Sequence, residues 1–298
     1  RYTYDEADRQ RFAIDGEGGV AETAYDANGR VVAVRAYSNV IDLSGLPLSI
    51  DSAQVQARLR ADDARDVQDY RVYDRDGRVR LRLDGAGAVA ETVYDAANQA
   101  TAVTRYANAK ALDPGLRAQL WAGTADIGGL LAGVAADPAR DQSSYSVRDA
   151  LGRERLSIDA TGAVTETVYD PVGRALRSVR YANAWPLDDG RRAQLRAGTL
   201  DADTVLSSLA ADPARDRSVV LVYDRVGRLR YTLTRTDTDR AVVSESRFDA
   251  VGRVVAQIQY GVTIGFNPAS NEADVASALS AALAADPARQ RSTHTVYD

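Results

Sequence analysis

The stretch Tyr25-Asp26-Ala27-Asn28-Gly29-Arg30 decides the fold of this chain, because its pattern returns along the whole sequence. An aromatic residue, an aspartate, two variable residues, a glycine and an arginine follow one another. Eight copies begin at Tyr4, Tyr25, Tyr73, Tyr94, Arg148, Tyr169, Tyr223 and Phe248, and a ninth begins at Tyr297. Self-similarity of this kind predicts a repeat architecture.

The residue types in the motif predict a hairpin turn. The aspartate is present in all eight copies, and the fifth position holds only Gly, Asn98 or Asp8. An aspartate that opens a type I turn accepts a hydrogen bond from the backbone two residues on. The residue three positions after it then takes a positive φ, which Gly, Asn and Asp adopt at least cost.

The segments around the motif alternate between apolar and polar residues. Val79, Leu81 and Leu83 interleave with arginines, a period of two that predicts a strand with one apolar and one cationic face. The next strand carries Glu91-Thr92, and its counterpart carries Glu166-Thr167. We expect these glutamates to form exposed cross-strand pairs with the arginines, worth about 0.2 to 1 kcal/mol each.

Motif spacing defines a larger unit. Two motifs lie 21 residues apart within a pair, or 25 in the last pair, and the pairs recur at steps of 69, 75, 75 and 74 residues. We therefore predict a single repeat array over residues 1–298, a fragment of a larger protein. Its units cover approximately residues 1–69, 70–144, 145–219 and 220–293, with the start of a fifth at 294–298.

Each unit ends in a segment with helical spacing. In the second and third units, Gly123-Thr124 and Gly198-Thr199 predict a helical hairpin split by a glycine stop and a threonine N-cap. The first and last inserts predict one helix each, over residues 53–61 and 272–285. Three Asp-Pro pairs are interpreted as helix stops: Asp137-Pro138, Asp212-Pro213 and Asp286-Pro287.

Parity places these features on the sheet. In a four-stranded meander, both motif turns lie on one edge, whereas the Gly-rich turn and the helical insert share the other edge. We expect helices along a single rim and an advance of roughly 19 Å per unit. The predicted fold class is mainly β with helical insertions, a tandem-repeat antiparallel strip with one short helical insert per four strands.

Composition excludes several classes of function. With 37 basic and 42 acidic residues and a pI of about 5.1, the net charge of −5 favours neither nucleic acid nor an anionic membrane. No apolar run approaches the ~20 residues that a membrane span needs. The absence of cysteine excludes disulfides, thiolate catalysis and cysteine zinc sites.

Candidate chemistry is sparse, and we predict no catalytic, cofactor-binding or metal-binding residue. The single histidine, His294, falls in a strand position. Asp201-Ala202-Asp203 and Asp237-Thr238-Asp239 lack the glycine and terminal glutamate of a calcium loop, so solvated turns are the better interpretation. Most carboxylates recur at the same motif positions in each repeat, whereas the catalytic carboxylate pair of a glycosidase occurs once in a chain. We therefore do not predict a glycosidase site.

The aromatic residues leave two interpretations open. The tyrosines, with Trp121 and Trp185, could form rows that stack on sugars. Alternatively, each tyrosine anchors a hairpin edge, with its ring on neighbouring strands and its hydroxyl in water.

The recurring motif resembles that of the RHS or YD-repeat family of bacterial proteins, which includes insecticidal toxin-complex subunits and has teneurin relatives in animals. All four units carry it, and these residues stand at its positions: Asp26, Gly29, Arg30, Asp74, Gly77, Arg78, Asp224, Gly227 and Arg228. The resemblance implies β-sheet strips that wind into hollow shells around a toxin or C-terminal fragment, or that form cell-surface modules.

Two departures limit what the resemblance implies. The Asp-Pro-x-Gly-Leu region linked to self-cleavage in that family has no match, since Asp170-Pro171-Val172-Gly173-Arg174 lacks the leucine and Asp113-Pro114-Gly115-Leu116 lacks one residue. No autoproteolytic residue is therefore carried over. The second departure is the regular helical insert, which suits an open, growing assembly as well as a closed shell.

These observations predict a non-enzymatic scaffold in a secreted or cell-surface bacterial protein. The leading hypothesis is a wall segment of a hollow shell around a toxin or C-terminal cargo, with an apolar or aromatic inner face and the arginine and glutamate rows outside. The alternative is an extracellular filament or adhesion scaffold, with carbohydrate binding as an open alternative role. Expected partners are the neighbouring repeats, an enclosed polypeptide or further copies of the chain, with a glycan as a further candidate.

The turn assignment predicts unequal costs at two equivalent positions. Gly77→Val should lower the free energy of unfolding by several times as much as Asn98→Gly, because a β-branched residue is strained at positive φ. Urea denaturation of the two variants measures the difference. A negligible loss for Gly77→Val would contradict the assignment.

Overall fold

A computed structural model describes residues 1–44, 50–285 and 290–294, the last stretch by its backbone. The chain divides into two compact units, Arg1–Ser144 and Tyr145–Asp298. This division falls between the second and third predicted repeats. Each unit is described separately below.

Unit 1 is an antiparallel meander with three short helices. Each of its strands β1 to β8 pairs with the next one along the chain. The strands are β1 Tyr2–Tyr4, β2 Gln10–Ile14, β3 Val20–Tyr25, β4 Val31–Ala36, β5 Val67–Tyr73, β6 Val79–Asp84, β7 Val89–Tyr94 and β8 Ala100–Arg105. The helices are α1 Ser52–Gln56, α2 Pro114–Ala122 and α3 Ile127–Ala132.

Unit 2 repeats this plan. Strand β9, Gln142–Arg148, spans the division between the units, and the strands from β10 to β17 pair consecutively and antiparallel. They are β10 Glu154–Asp159, β11 Val164–Tyr169, β12 Ala175–Arg180, β13 Arg217–Tyr223, β14 Leu229–Arg235, β15 Arg240–Phe248, β16 Val254–Gly265 and β17 Gln290–His294. The helices are α4 Asp189–Ala197, α5 Ala202–Ser208 and α6 Glu272–Ala285. The predicted fold class is confirmed.

The motif turns have the predicted backbone. In the turn between β5 and β6, the Gly77 N–H donates to the Asp74 carbonyl at 3.1 Å, and Gly77 has a φ of 80°. The two substitutes for glycine, Asp8 and Asn98, have φ values of 58° and 62°. The ninth copy, at Tyr297, lies outside the described residues.

A β-bulge follows each motif turn. Val72 pairs with Leu81, but the adjacent Tyr73 pairs with Val79, so Arg80 is an extra residue in β6. The same shift occurs wherever the register across a motif turn is described. The extra residue breaks the strict alternation of faces that the sequence pattern predicts.

The helices lie across one face of the sheet, which corrects the predicted placement along a rim. In unit 1, α2 packs over β3, β4 and β5, and in unit 2, α6 packs over β14 and β16. A Cβ added at Gly123, the residue that ends α2, would lie 2.8 Å from Val32 Cγ1 and 3.0 Å from Asp26 Cβ. The helix therefore reaches the motif-turn edge, because the apolar face of the sheet needs a covering layer.

Apolar clusters fill the space between sheet and helices. In unit 1, Phe12, Ile14 and Val55 belong to one cluster, and Leu81 and Leu120 belong to another. In unit 2, Leu233, Ile258, Val275 and Leu279 form part of a further cluster. The face that the sequence pattern predicts to be apolar is thus the face that the helices bury.

The helix boundaries confirm part of the insert prediction. Helix α6 has the predicted bounds, whereas α1 is shorter than predicted. Gly123 and Gly198 end α2 and α4 at φ values of 68° and 67°, as expected of glycine stops.

The prediction that Thr124 and Thr199 are the N-caps of α3 and α5 is wrong. Asp126 and Asp201 cap α3 and α5, because their carboxylates accept backbone N–H groups at 2.6 and 2.8 Å. The Thr124 hydroxyl instead donates back to the Gln119 carbonyl at 3.4 Å.

The predicted Asp-Pro helix stops are also wrong. Helices α3 and α5 end at Ala132 and Ser208, several residues before Asp137 and Asp212. Both aspartates instead open a turn that leads into the next strand, and their carbonyls accept N–H groups four residues on at 2.7 Å. The pair Asp286-Pro287 lies outside the described residues.

Glycine in the second turn of a repeat permits a close backbone approach. The Trp185 N–H donates to the Gly162 carbonyl at 2.8 Å, and a Cβ at Gly162 would lie 2.1 Å from the Trp185 carbonyl oxygen. Gly87 meets Lys110 in the same way in unit 1. The start of each insert is held against this turn.

Gly162→Ala should cost more than Gly252→Ala, although both glycines have similar φ values, 83° and 90°, and lie in unit 2. A Cβ at Gly252 meets nothing within 4 Å, so only the backbone strain of about 1 to 3 kcal/mol applies there. At Gly162 the clash adds about 1 to 3 kcal/mol. Urea denaturation measures both variants, and equal losses would contradict the close approach.

Candidate functional site: three contacts repeated along the sheet

The first contact is a network within each motif turn. Asp74 Oδ1 accepts the N–H groups of Asp76 and Arg78 at 3.0 and 2.9 Å, and Asp74 Oδ2 accepts Arg78 Nε at 2.7 Å. Six other motif aspartates bind their arginines in this way: Asp5, Asp26, Asp149, Asp170, Asp224 and Asp249. The aspartate therefore fixes the turn and orients the arginine.

The electrostatics of the turn favour the ionised aspartate. Burial alone raises the pKa of Asp224, but the backbone N–H and guanidinium of Arg228 outweigh it, and the pKa lies below its usual range. The pKa of Asp74 is lowered in the same way by Arg78. A proton-transfer role would need the opposite shift, so these carboxylates serve as fixed acceptors.

The oriented arginine also stacks on the aromatic residue of the next motif turn. Arg30 lies 4.5 Å from the Tyr73 ring centroid, and the Tyr73 hydroxyl donates to the Val31 carbonyl at 2.7 Å. The other stacked pairs are Arg9 with Tyr25, Arg78 with Tyr94, Arg153 with Tyr169, Arg174 with Tyr223 and Arg228 with Phe248. Each such contact is worth about 0.5 to 2 kcal/mol.

This arrangement refines the sequence interpretation of the tyrosines. They do anchor the hairpin edge, but their hydroxyls bind main-chain carbonyls rather than water, as Tyr169 and Tyr223 also show at 2.8 and 2.9 Å. We call this row of aspartate, arginine and aromatic residues the turn rim of each unit.

The second contact is a buried glutamate. Glu91 is completely buried, accepts the Tyr106 hydroxyl at 2.6 Å and lies 2.9 Å from Arg80 Nη1. Glu22, Glu166 and Glu245 occupy the same place in the other repeats, each with its own arginine and tyrosine. The predicted pairing with arginine is confirmed, but the prediction that the pairs are exposed is wrong.

The bulge explains how arginine reaches this glutamate. Leu81 pairs with Glu91, so the glutamate faces the helices with the apolar residues. The arginine is the extra residue after the turn, so its side chain is freed from the alternation that would point it to the open face. The sequence signal for this contact is the Arg-x-Arg that follows the first motif turn of each repeat.

The buried cluster holds its charge on the glutamate. Burial and the Glu245 carboxylate raise the pKa of Tyr260 to about 12. Burial opposes ionisation of Glu245, but the Tyr260 hydroxyl, Arg247 and Arg230 outweigh it and lower the pKa of Glu245. The carboxylate of Glu245 is thus ionised and the Tyr260 hydroxyl is protonated at neutral pH.

The third contact closes the neck of the insert in the first three repeats. Asp141 Oδ1 accepts the Ala107 N–H at 2.8 Å, and Asp141 Oδ2 accepts the Asp137 N–H at 2.9 Å. Asp66 and Asp216 join the two ends of their inserts in the same way. One carboxylate therefore returns the chain to the sheet after each of these three inserts, whereas Gln290 stands at the equivalent position after the fourth.

The sites weighed from sequence are used structurally or lie outside the description. His294 lies in β17, and its side chain is outside the described residues. Asp203 pairs with Arg155 at 2.9 Å, beside the α5 cap. Within the described ranges, no group of three or more acidic or histidine residues is placed to hold a metal ion.

Trp185 offers no stacking surface. It is buried, its indole N–H donates to Ser208 Oγ at 2.8 Å, and Arg191 covers its ring at 4.6 Å. Trp121 packs against the cluster that contains Leu120.

Of the helices in the described part of the chain, none is long and apolar enough to cross a membrane.

A cleft in unit 2 has a volume of about 680 Å³. It lies between the turn at Tyr223 and the start of α6, and it contains Arg230 and Glu272. These two side chains bind each other at 2.5 Å, and Arg230 also binds Glu245. The opposite charges of Arg230 and Glu272 in this cleft therefore satisfy each other.

Comparison with known proteins gives a fold but no family. No family model matches the chain, and no curated protein matches it. The chain is similar to the structure entitled "Crystal Structure of TcdB2-TccC3-Cdc42", with a TM-score of 0.51 and 12% identity over 86% of this chain. A second match, "Crystal Structure of TcdB2-TccC3-TEV", has a TM-score of 0.45 and 13% identity over 87% of this chain.

This similarity concerns a small part of the matched molecule. The chain spans about a tenth of the length of the TcdB2-TccC3-Cdc42 chain. At this level of identity the match shows the fold of the strip alone.

Glu245→Gln should destabilise unit 2 by about 2 to 3 kcal/mol at pH 7, because the amide replaces a charged acceptor of several hydrogen bonds. The folded pKa of Glu245 is depressed below 4.5, so its contribution is complete above pH 5 and is lost as the pH falls through the folded value. Urea denaturation from pH 7 to 3 should show the difference from wild type shrinking with acid.

A matched control is Glu154→Gln. Glu154 is an exposed residue of the same unit, and its carboxylate accepts a hydrogen bond from Ser146. This variant should lose much less stability at pH 7. A loss as large as that of Glu245→Gln would contradict the role assigned to burial.

Proposed function

We propose that this chain is a wall segment of an RHS-type hollow shell, a non-enzymatic scaffold that encloses a polypeptide. The observation that carries this proposal is the recurrence of the same contacts from repeat to repeat. Rim stacking, a buried glutamate and a closed insert neck distribute stability along a sheet, whereas a catalytic centre would make one repeat different from the others.

Two further lines support the proposal. The motif resembles that of the RHS or YD-repeat family, and the fold is similar to that of the TcdB2-TccC3-Cdc42 structure. Both lead to a secreted or cell-surface bacterial protein in which a strip of this kind forms part of a larger wall.

The two faces of the sheet assign the inside and the outside of the wall. Helices cover the apolar face, so this face is not free to line a lumen as the sequence pattern suggests. The opposite face is open and carries short polar side chains such as Thr165, Thr167 and Ser178 together with exposed valines such as Val103 and Val242. In our proposal this open face lines the lumen, where an enclosed chain meets both polar and apolar groups.

The second candidate is an extracellular filament or adhesion scaffold. One observation favours it: the second variable residue of the motif is an exposed aliphatic residue in all four turns of unit 2, such as Val226, but Ala, Asn or Asp in unit 1. In this reading the turn rims face other copies, and the open face of the sheet is exposed to solvent.

Cysteine labelling of the full-length protein separates the two candidates, because the chain has no cysteine of its own. Gln257→Cys places a thiol on the open face, and Ser207→Cys is the matched control on exposed α5. A shell predicts that a small maleimide labels both thiols, whereas a long polyethylene-glycol maleimide labels only the one at position 207. Equal labelling of both by the long reagent would overturn the shell.

A further inference from the structure

The tips of the motif turns differ between the two units. In unit 2 the second variable residue of each Asp-x-x-Gly turn is aliphatic. These residues are Leu151, Val172, Val226 and Val251. These side chains are 73 to 76% exposed. The same position in unit 1 holds Ala7, Asn28, Asp76 and Ala97. Since the turn accepts Asn and Asp in unit 1, the fold does not require an aliphatic residue there.

The four aliphatic side chains form a row. Consecutive pairing of the strands places the motif turns of unit 2 on one edge, two strands apart. Neighbouring tips are therefore about 10 Å apart, and the row is roughly 30 Å long. Exposed apolar patches of this extent usually mark an interaction site.

The two turn rims carry opposite net charge. The four motifs of unit 2 contain six arginines and four aspartates, a net charge of +2. Those of unit 1 contain four arginines and seven acidic residues, a net charge of −3. At the two variable positions of the motif, unit 2 carries Arg225 and no acidic residue, whereas unit 1 carries Glu6, Arg75 and Asp76, of which Asp76 pairs with Arg78 at 2.9 Å.

We propose that the turn rim of unit 2 binds the turn rim of unit 1 of a second copy of this chain. Opposite charges attract the two rims, and the small tips of unit 1, such as Ala7 and Ala97, leave space for the aliphatic side chains. Such a contact joins two different surfaces, so every copy offers one rim of each kind to another copy. This inference goes beyond the shell and names the surface through which copies associate.

The size of the row sets the strength of the contact. Four aliphatic side chains bury on the order of 400 Å² of apolar surface. A stable interface buries about 1,200 Å² or more, so one pair of rims associates weakly. The charge component makes the association sensitive to salt.

A lipid surface fits the observations less well. Four of the six arginines on the unit 2 rim, including Arg174 and Arg228, are already bound by their own aspartates. Little positive charge is left to bind anionic headgroups. The net charge of +2 that remains on the unit 2 rim is enough to attract the acidic unit 1 rim of a second copy.

Sedimentation equilibrium of the 298-residue chain tests the proposal. Wild type should self-associate, and association should weaken about tenfold from about 50 to about 500 mM NaCl. Val172→Asn with Val226→Asp breaks the unit 2 rim, and Glu6→Lys with Asp76→Lys breaks the unit 1 rim. The first pair copies residues that unit 1 carries at the same position, so the turns should still fold, and circular dichroism checks this.

Mixing the two variants gives the decisive result. Each variant alone should self-associate at least tenfold more weakly than wild type, whereas an equimolar mixture should form a heterodimer with wild-type affinity, because one intact rim of each kind remains. Self-association of the Glu6→Lys, Asp76→Lys variant at wild-type strength would show contacts between unit 2 rims and overturn the proposal.

A monomeric wild type would also overturn it. Flotation with phosphatidylglycerol vesicles then identifies the other possible partner. Binding by wild type that is lost in the Val172→Asn, Val226→Asp variant would assign the aliphatic row to a lipid surface.

Discussion

The bulge after each motif turn is the constraint on which the rest of this structure depends. One extra residue in the strand breaks the alternation of faces at a fixed place in every hairpin. In the first hairpin of a repeat this residue is an arginine, such as Arg80 or Arg230, and it reaches a glutamate that strand pairing has placed among apolar residues. In the second hairpin of unit 1's first repeat it is Val32, which is buried against the end of α2.

The buried glutamates follow from this geometry. A carboxylate in an apolar layer is destabilising unless it is paired and hydrogen-bonded. The bulged arginine supplies the charge, and a tyrosine from the end of the fourth strand supplies a hydrogen bond, as Tyr106 does for Glu91. The cluster therefore ties three strands of a repeat together, and its polar groups fix their register.

The sequence predicts the architecture well because the architecture rests on local rules. Motif spacing, turn chemistry and period-two alternation require only neighbouring residues, and each of them is confirmed in the strands and turns. Helix α6 is predicted to the residue because its alanine-rich segment is long, whereas α1 is short and ends earlier than its pattern indicates.

The features that the sequence did not predict are tertiary. The bulge leaves the sequence pattern almost unchanged. The alternation therefore predicts that Arg80 belongs to the arginine row on the open face, whereas its partner Glu91 lies on the face that the helices cover. Caps show the same limit, since Thr124 and Asp126 both fit the N-cap preference and only the path of the chain selects the aspartate. The stacking of Arg30 on Tyr73 joins residues 43 positions apart, and no local pattern contains it.

The position of α2 has a consequence for what counts as one module of this protein. This helix belongs by sequence to the second repeat, yet it covers β3 and β4 of the first. The repeats therefore overlap, and a cut at residue 69 would remove the helix that covers β3 and β4 while leaving α1 in place. The sequence period gives the length of one repeat. The shortest segment of chain that can bury its own apolar core is longer than that period.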